Sequence, residues 1–428
     1  MTESYNQFVA GGGIGGLLAT SLLAQHNQKV FLTEKLPFFG GRFTSIKHHG
    51  YEIPTGAVHM IPHSQNGPLG EVLLRDLSLP LNIIENNYFT AWYWPPHQPK
   101  RHKRFWGILK VFPKASQRFF VFRKLFPNAR HSEDHNESFQ EFLEVRTEDP
   151  QIFQFFNAII GFALSLNITQ ISTAAMFRFF RRLYQKGKPG VPVGGCKAVI
   201  NSLVNHARTN GSILKKNCEL IKLEIDGIEL ESAVCRDRKT NEEFEIHANQ
   251  FILNLGYLQV NDLLSKSDIP FRLPTMPTAK GGGFAYRSKK SILKTSVVAQ
   301  FPENKFVKGA VEPTISSPNL APQGEHLLLT HQVFHSSDII YDTRRARDEL
   351  LETFPQLDEE DELCVHTFHK EWPVNYACQG SDLSNFSSVI PNLFFIGDGY
   401  KGNNGWMMTE GITSGVKQVL NTILAKKD

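Results

Sequence analysis

The apolar positions change period within the first forty residues. Phe8, Val9 and Ala10 run together, Leu17, Leu18, Leu22 and Leu23 recur at helical spacing, and Val30-Phe31-Leu32 closes into a continuous run again. A short unbroken apolar run suits a parallel strand buried on both faces, and the spacing between the two runs suits a helix. The pattern predicts strand, helix and strand from Phe8 to Glu34. Farther on, CELIKLEID, GIELESAVCR and EEFEIHA alternate apolar and polar positions, as the strands of a small antiparallel sheet do. Leu393 to Ile396 reads as one more buried strand. A helix is expected from about Trp406 onward, with Gly411 and Gly415 allowing close approach.

Chemistry enters at the joint between the first strand and helix. Gly11, Gly13 and Gly16 fall there in G-x-G-x-x-G order, with Ile14 and Gly15 filling the remaining positions. Gly11 permits a tight turn, Gly13 lets backbone approach a pyrophosphate, and Gly16 lets the helix pack closely on the strand. The helix N-terminus then faces the anion with its N–H groups. Glu34, followed by Lys35, ends the second strand about 20 residues beyond Gly11, where a carboxylate meets ribose hydroxyls. Dinucleotide binding follows, and the turn alone leaves NAD and FAD open. Gly40-Gly41-Arg42 forms a second glycine turn carrying a cation. Gly397-Asp398-Gly399 forms a third, directly after the strand at 393–396.

These three turns, in this order and this far apart, resemble the flavin amine oxidase and phytoene desaturase superfamily, and its phytoene-desaturase-like branch in particular. Pro192-Val193-Gly194-Gly195, the run NQFILN at 249–254 and His369-Lys370-Glu371-Trp372-Pro373 extend the likeness over nearly the whole chain. The resemblance implies a Rossmann-like α/β fold with an interleaved α+β substrate domain. It implies FAD as cofactor. Glu34 would hold the adenosine ribose, Gly11, Gly13 and Gly16 would border the pyrophosphate, and Gly40, Gly41 and Arg42 would line its flavin side. Asp398 would bind the ribityl and phosphate region, and Gly405 and Met407 would lie beside the flavin. The implied reaction is hydride transfer between flavin and a C–H bond of a lipophilic, isoprenoid or polyene substrate, with an unidentified electron acceptor. For catalytic side chains the resemblance offers Trp406 and Tyr376 as aromatic walls, with simple packing as the competing reading of both. A flavin amine oxidase and a non-enzymatic isoprenoid-binding escort of the GDP dissociation inhibitor type are the alternatives. The run GNNGWMMTEG is bulkier than the glycine-rich approach of carotenoid desaturases, which argues against a long carotenoid. His366 and His369 lack the clustered carboxylates of a metal site, so no metal is expected.

The domain division expected from these motifs is discontinuous. Residues 1–85, 186–265 and 375–428 make the FAD-binding domain, and 86–185 with 266–374 make the substrate domain. The uncharged stretch from Pro150 to Phe177 is broken too often by amides and hydroxyls for a membrane span, and reads as buried helices around an apolar cavity.

Composition changes the picture in three places. There are 33 Phe against 10 Tyr and 5 Trp, which core filling explains by default. The five cysteines show no C-x-x-C spacing and the N-terminus has no basic, apolar leader, so a cytoplasmic protein is expected. Ten of the 46 basic residues and none of the 42 acidic ones fall between Phe89 and Arg130, together with Trp92, Trp94 and Trp106. Such a segment fits peripheral contact with an anionic membrane. The competing reading is a solvated basic face with its aromatics turned into the core. Nothing else in the chain speaks for nucleic acid.

Overall fold

The structure, a computed structural model, describes residues 4–88, 90–93, 100–103, 105–112, 114–125, 137–183, 187–274, 278–369, 388–400 and 405–425. Two seven-stranded sheets organise the chain. The strands of the first are β1 (Ser4–Ala10), β2 (Val30–Glu34), β3 (Ile213–Lys216), β4 (Cys218–Asp226), β5 (Glu229–Asp237), β6 (Glu243–Leu253) and β7 (Leu393–Phe395). Its parallel part runs β7-β6-β1-β2-β3, with Phe8 opposite both Phe251 and Phe31. This centre is covered on both faces, which is why β2 is buried at every position and reads as an unbroken apolar run.

The alternating segments do pair antiparallel, β4 with β5 and β5 with β6. They do not form a separate sheet. EEFEIHA and NQFILN belong to one strand, β6, whose first half holds the antiparallel meander and whose second half pairs with β1 and β7. The alternation ends where burial becomes two-sided, so one strand carries two patterns.

Helix α1 (Ile14–Gln25) is buried at every position but the last. It lies between the sheet, helix α2 (Gly195–Thr209) and the C-terminal helix α3 (Met408–Ala425). Helix α3 starts two residues later than the sequence suggests. Gly405 (φ 69°) and Met408 (φ 54°) both take left-handed conformations and turn the chain into it.

The second sheet has the order 362–368, 281–288, 326–333, 307–311, 299–300, 90–92 and 100–102. The helix Pro150–Leu164 packs beside it, and the helix Thr173–Leu183 packs on the helix Phe139–Glu144. Most phenylalanines of this lobe face inward. Phe112, Phe139, Phe142, Phe155, Phe156 and Phe177 are all buried and meet mostly edge to face, for example Phe155 on Phe156 at 5.0 Å and Phe142 on Phe177 at 5.3 Å. Each such burial contributes about 1.5–3 kcal/mol, so Phe abundance here is core construction.

Candidate functional site

The glycine turn at the end of β1 is held by three partners. The Gly11 N–H donates to the Thr33 carbonyl at 2.8 Å, which ties the turn to β2. The Gly12 N–H donates to Glu34 Oε2 at 2.8 Å, and Glu34 Oε1 accepts from the Leu36 N–H at 2.8 Å. Burial pushes the Glu34 carboxyl above its usual range, and those two N–H donors pull it partly back. Glu34 therefore braces the loop as well as standing where a ribose would come. Lys35 is exposed, and its carbonyl accepts from Arg238 Nη1 at 3.2 Å.

The third partner is Asn254, the residue directly after β6. Its Nδ2 donates to the Gly11 carbonyl at 3.0 Å. A methyl on Gly15 or Gly397 would stand 2.8 or 2.7 Å from Asn254 Oδ1, so this one amide side chain packs between the first glycine turn and the C-terminal one. The sequence reading passed over Asn254 because only the polar residue ending the NQFILN run marks it.

Helix α1 begins bare. Its N-cap is Gly13, with no side-chain cap and no acidic residue in its first turn. The first N–H groups of an α-helix have no acceptor within the helix, so this end is open to an anion. Ile14 is buried in the core beside it. Gly16 lies so close to β1 that a methyl there would stand 2.0 Å from the Gly11 carbonyl oxygen.

The second turn comes to the first. Gly40 (φ 104°) donates its N–H to the Gly12 carbonyl at 2.8 Å, and Gly13 and Gly40 form a parallel bridge. Arg42 then reaches the third turn: its Nη1 is 3.1 Å from Asp398 Oδ2, across 356 positions of sequence. Asp398 is nearly buried and Arg42 about one third exposed. The Ile396 N–H donates to the Leu253 carbonyl at 3.0 Å, and Gly397 takes φ 114°. All three glycine turns are thus side by side at the carboxyl ends of parallel strands, where open α/β sheets bind ligands. Around Gly399 a methyl would meet nothing within 4 Å.

The start of α3 forms the far wall. Trp406 is buried, with the His63 ring against it edge-on at 5.3 Å and the Arg182 guanidinium over its face at 4.9 Å. Arg178 lays its stem across Gly405. Met407 joins the Phe-rich cluster of the helical lobe. His63 Nδ1 is 3.3 Å from Oε1 of the fully buried Glu410, whose Oε2 accepts the Leu69 N–H at 2.7 Å. Tyr376 lies outside the described residues, as do Trp94 and the run Lys370 to Pro373.

The donor set fits a flavin dinucleotide. A bare helix end and three glycine turns suit a pyrophosphate, Glu34 suits a ribose, and Asp398 with Arg42 brings paired polar groups to a third point farther along.

Residues 9–77 match the family of NAD(P)-binding Rossmann-like domains. The uncharacterized protein MJ1488 of Methanocaldococcus jannaschii is 32% identical over 415 residues, covering 97% of this chain and 98% of that protein. The crystal structure of an oxidoreductase from Methanosarcina mazei is 25% identical, covers 98% of this chain and 100% of its own, and superposes with a TM-score of 0.87. Cyclohexylamine oxidase from Brevibacterium oxydans shares 14% identity over the full length of both chains, with a TM-score of 0.70. The chain belongs to one family with the Methanocaldococcus jannaschii protein, and its Rossmann-like, two-sheet fold is shared with the Methanosarcina mazei oxidoreductase and with cyclohexylamine oxidase.

Proposed function

We propose that this protein is an FAD-dependent oxidoreductase of the phytoene-desaturase-like kind, moving hydride between flavin and a C–H bond of a lipophilic, isoprenoid or polyene substrate. The observation that carries the reading is the Arg42–Asp398 contact, which ties the turn after β2 to the turn after β7 beside the bare end of α1. A ligand spanning those three points is longer than one nucleotide. Bound flavin supplies the hydride chemistry. The chain's own residues would bind and orient it: Glu34 would fix the loop and meet the ribose, Gly13 would let backbone approach the pyrophosphate while Gly16 keeps α1 close on β1, and Arg42 and Asp398 would hold the ribityl side. Met407, continuous with the phenylalanine cluster, supports an apolar, water-poor approach from the helical lobe. The N-terminus of α3 favours negative charge near it by about 0.3–1 kcal/mol. With 1.4 kcal/mol equal to about 30 mV for a two-electron couple, that assists reduction without deciding the direction of reaction.

The Arg182 guanidinium over Trp406 weighs against the amine oxidase alternative, because it sets a cation where a substrate ammonium would need an aromatic face. The intact second and third turns weigh against the escort alternative. The test is the visible spectrum of the purified protein, with the chromophore released and identified. Bound FAD, reduced anaerobically by a lipid substrate, is the expected result. A protein without flavin that takes up none when it is added would overturn the proposal.

A further inference from the structure

The basic segment divides its aromatic residues between inside and outside. Trp92 and Phe112 are buried, both packed on Phe155 at 4.7 Å. Phe119 and Phe122 are not: they are 59% and 47% exposed. Both sit on the helix Ala115–Phe119 and its wider continuation Phe120–Leu125. Gln117, Val121 and Leu125, spaced four apart, take the inward face. Gln117 is fastened there by Asp149 and Gln151, each at 2.8 Å. That fastening fixes the rotation of the helix, so Phe119 and Phe122, three apart, are turned outward together. Exposed Lys114, Arg118 and Arg123 flank them. Lys100, Arg101, Lys103 and Lys110, from the same segment, are also exposed, and the segment contains no acidic residue.

Two large apolar side chains ringed by cations have a single complementary surface in ordinary cell chemistry: an anionic bilayer, which takes rings between its head groups and attracts the charges. A protein partner would have to supply an apolar pocket and an acidic rim together, and nucleic acid gives the phenyl rings nothing to enter in a duplex. We propose that the 114–123 face docks the protein on anionic lipid, with Phe119 and Phe122 inserted and Lys114, Arg118 and Arg123 at the head-group level. This inference stands apart from the flavin reading, since it uses none of the same residues.

The experiment is co-sedimentation of the full-length protein with vesicles of phosphatidylcholine, with and without phosphatidylserine, at low and high salt. Binding is expected only where phosphatidylserine is present, and it should weaken at high salt as charges are screened. Phe119→Ser with Phe122→Ser should weaken partitioning at least tenfold, and Lys114→Gln with Arg123→Gln by a similar factor. Because these side chains are exposed, the melting temperature and the visible spectrum of each variant should match the parent, which separates lost docking from lost folding. Absence of vesicle binding, binding indifferent to phosphatidylserine, or full binding by the Phe119/Phe122 variant would overturn the proposal. So would sedimentation showing a dimer that the same variant dissolves, or salt-sensitive binding of duplex DNA in place of lipid.

Discussion

Gly16→Ala sets two well-known effects against each other. Alanine in a helix interior is favoured over glycine by about 1 kcal/mol, so propensity alone predicts a more stable protein. Against this stands the added methyl, 2.0 Å from the Gly11 carbonyl oxygen, 3.2 Å from the Gly11 carbonyl carbon and 3.3 Å from Asn254 Nδ2. The obstacle is backbone, which has no rotamer to change. To restore ordinary contact, α1 would have to withdraw from β1 by roughly 1.5 Å. It has nowhere to go, because Ser21 Oγ donates to the Leu203 carbonyl of α2 at 3.1 Å and Gly15 lies against Ile412 of α3. Overpacking of this kind costs about 1–3 kcal/mol, which net of the propensity gain leaves a loss of up to about 2 kcal/mol. Calorimetry should show a melting temperature up to about 2 °C lower, and the absorbance of the purified variant should show a lower flavin content. Gly15→Ala should cost less, because its obstacles are the side chains of Asn254 and Ile412. Gly256→Ser, at an open helix N-cap, should raise stability by about 0.3 kcal/mol. A Gly16→Ala protein that melts at or above the parent temperature with full flavin would refute the packing argument.

Asn254→Leu should lower stability by about 1–2 kcal/mol, by leaving the Gly11 carbonyl without its side-chain donor, and should lower flavin content with it. Flavin retention unchanged by that substitution would remove Asn254 from the site. Asp398→Asn should cost under about 1 kcal/mol in stability, because Arg42 is partly solvated, yet should release flavin measurably on dilution, as followed by fluorescence. His59 is fully buried and neutral, its Nε2 on the Glu52 carbonyl at 2.8 Å and its Nδ1 accepting from the Cys196 N–H at 3.2 Å, and burial holds it down at about 4 against 6.5 when unfolded. The unfolded chain takes up the proton first, so the contribution of His59 is full above pH 6.5 and is lost as pH falls toward 4, by about 3 kcal/mol in total. Thermal melts across that window should fall more steeply for the parent than for His59→Gln, and parallel curves would contradict the assignment.

The glycine turns were legible in the sequence because each one is a local pattern whose geometry is set by its own residues. Gly11, Gly40 and Gly397 all take the positive φ that such turns require. What lay beyond reach were the side chains that join one turn to another. Asn254 is a lone amide after an apolar run, and His63 meets Glu410 across 347 positions, so neither pairing has a trace in spacing. The start of α3 was misjudged because nothing in the sequence marks Met408 for a left-handed conformation. The aromatic residues of the basic segment defeated pattern reading for a different reason. Phe119, Phe120, Val121 and Phe122 are consecutive, so apolar content cannot say which of them a helix buries. That was decided by Gln117, a polar residue on the inward face.

The Arg42–Asp398 contact also bears on when the site can exist. A ribosome completes β1, α1 and β2 early, and these could associate as soon as they emerge, but β3 and β6 enter the sheet from beyond residue 210 and β7 only after 390. The closing carboxylate and the helix that packs against Gly15 are among the last parts synthesised. A nascent chain therefore exposes its phosphate loop for most of its synthesis without the groups that would retain a dinucleotide. On the proposed function, loading with cofactor would be the final event of maturation, and a chain cut short at its C-terminus would forfeit the cofactor along with the helix.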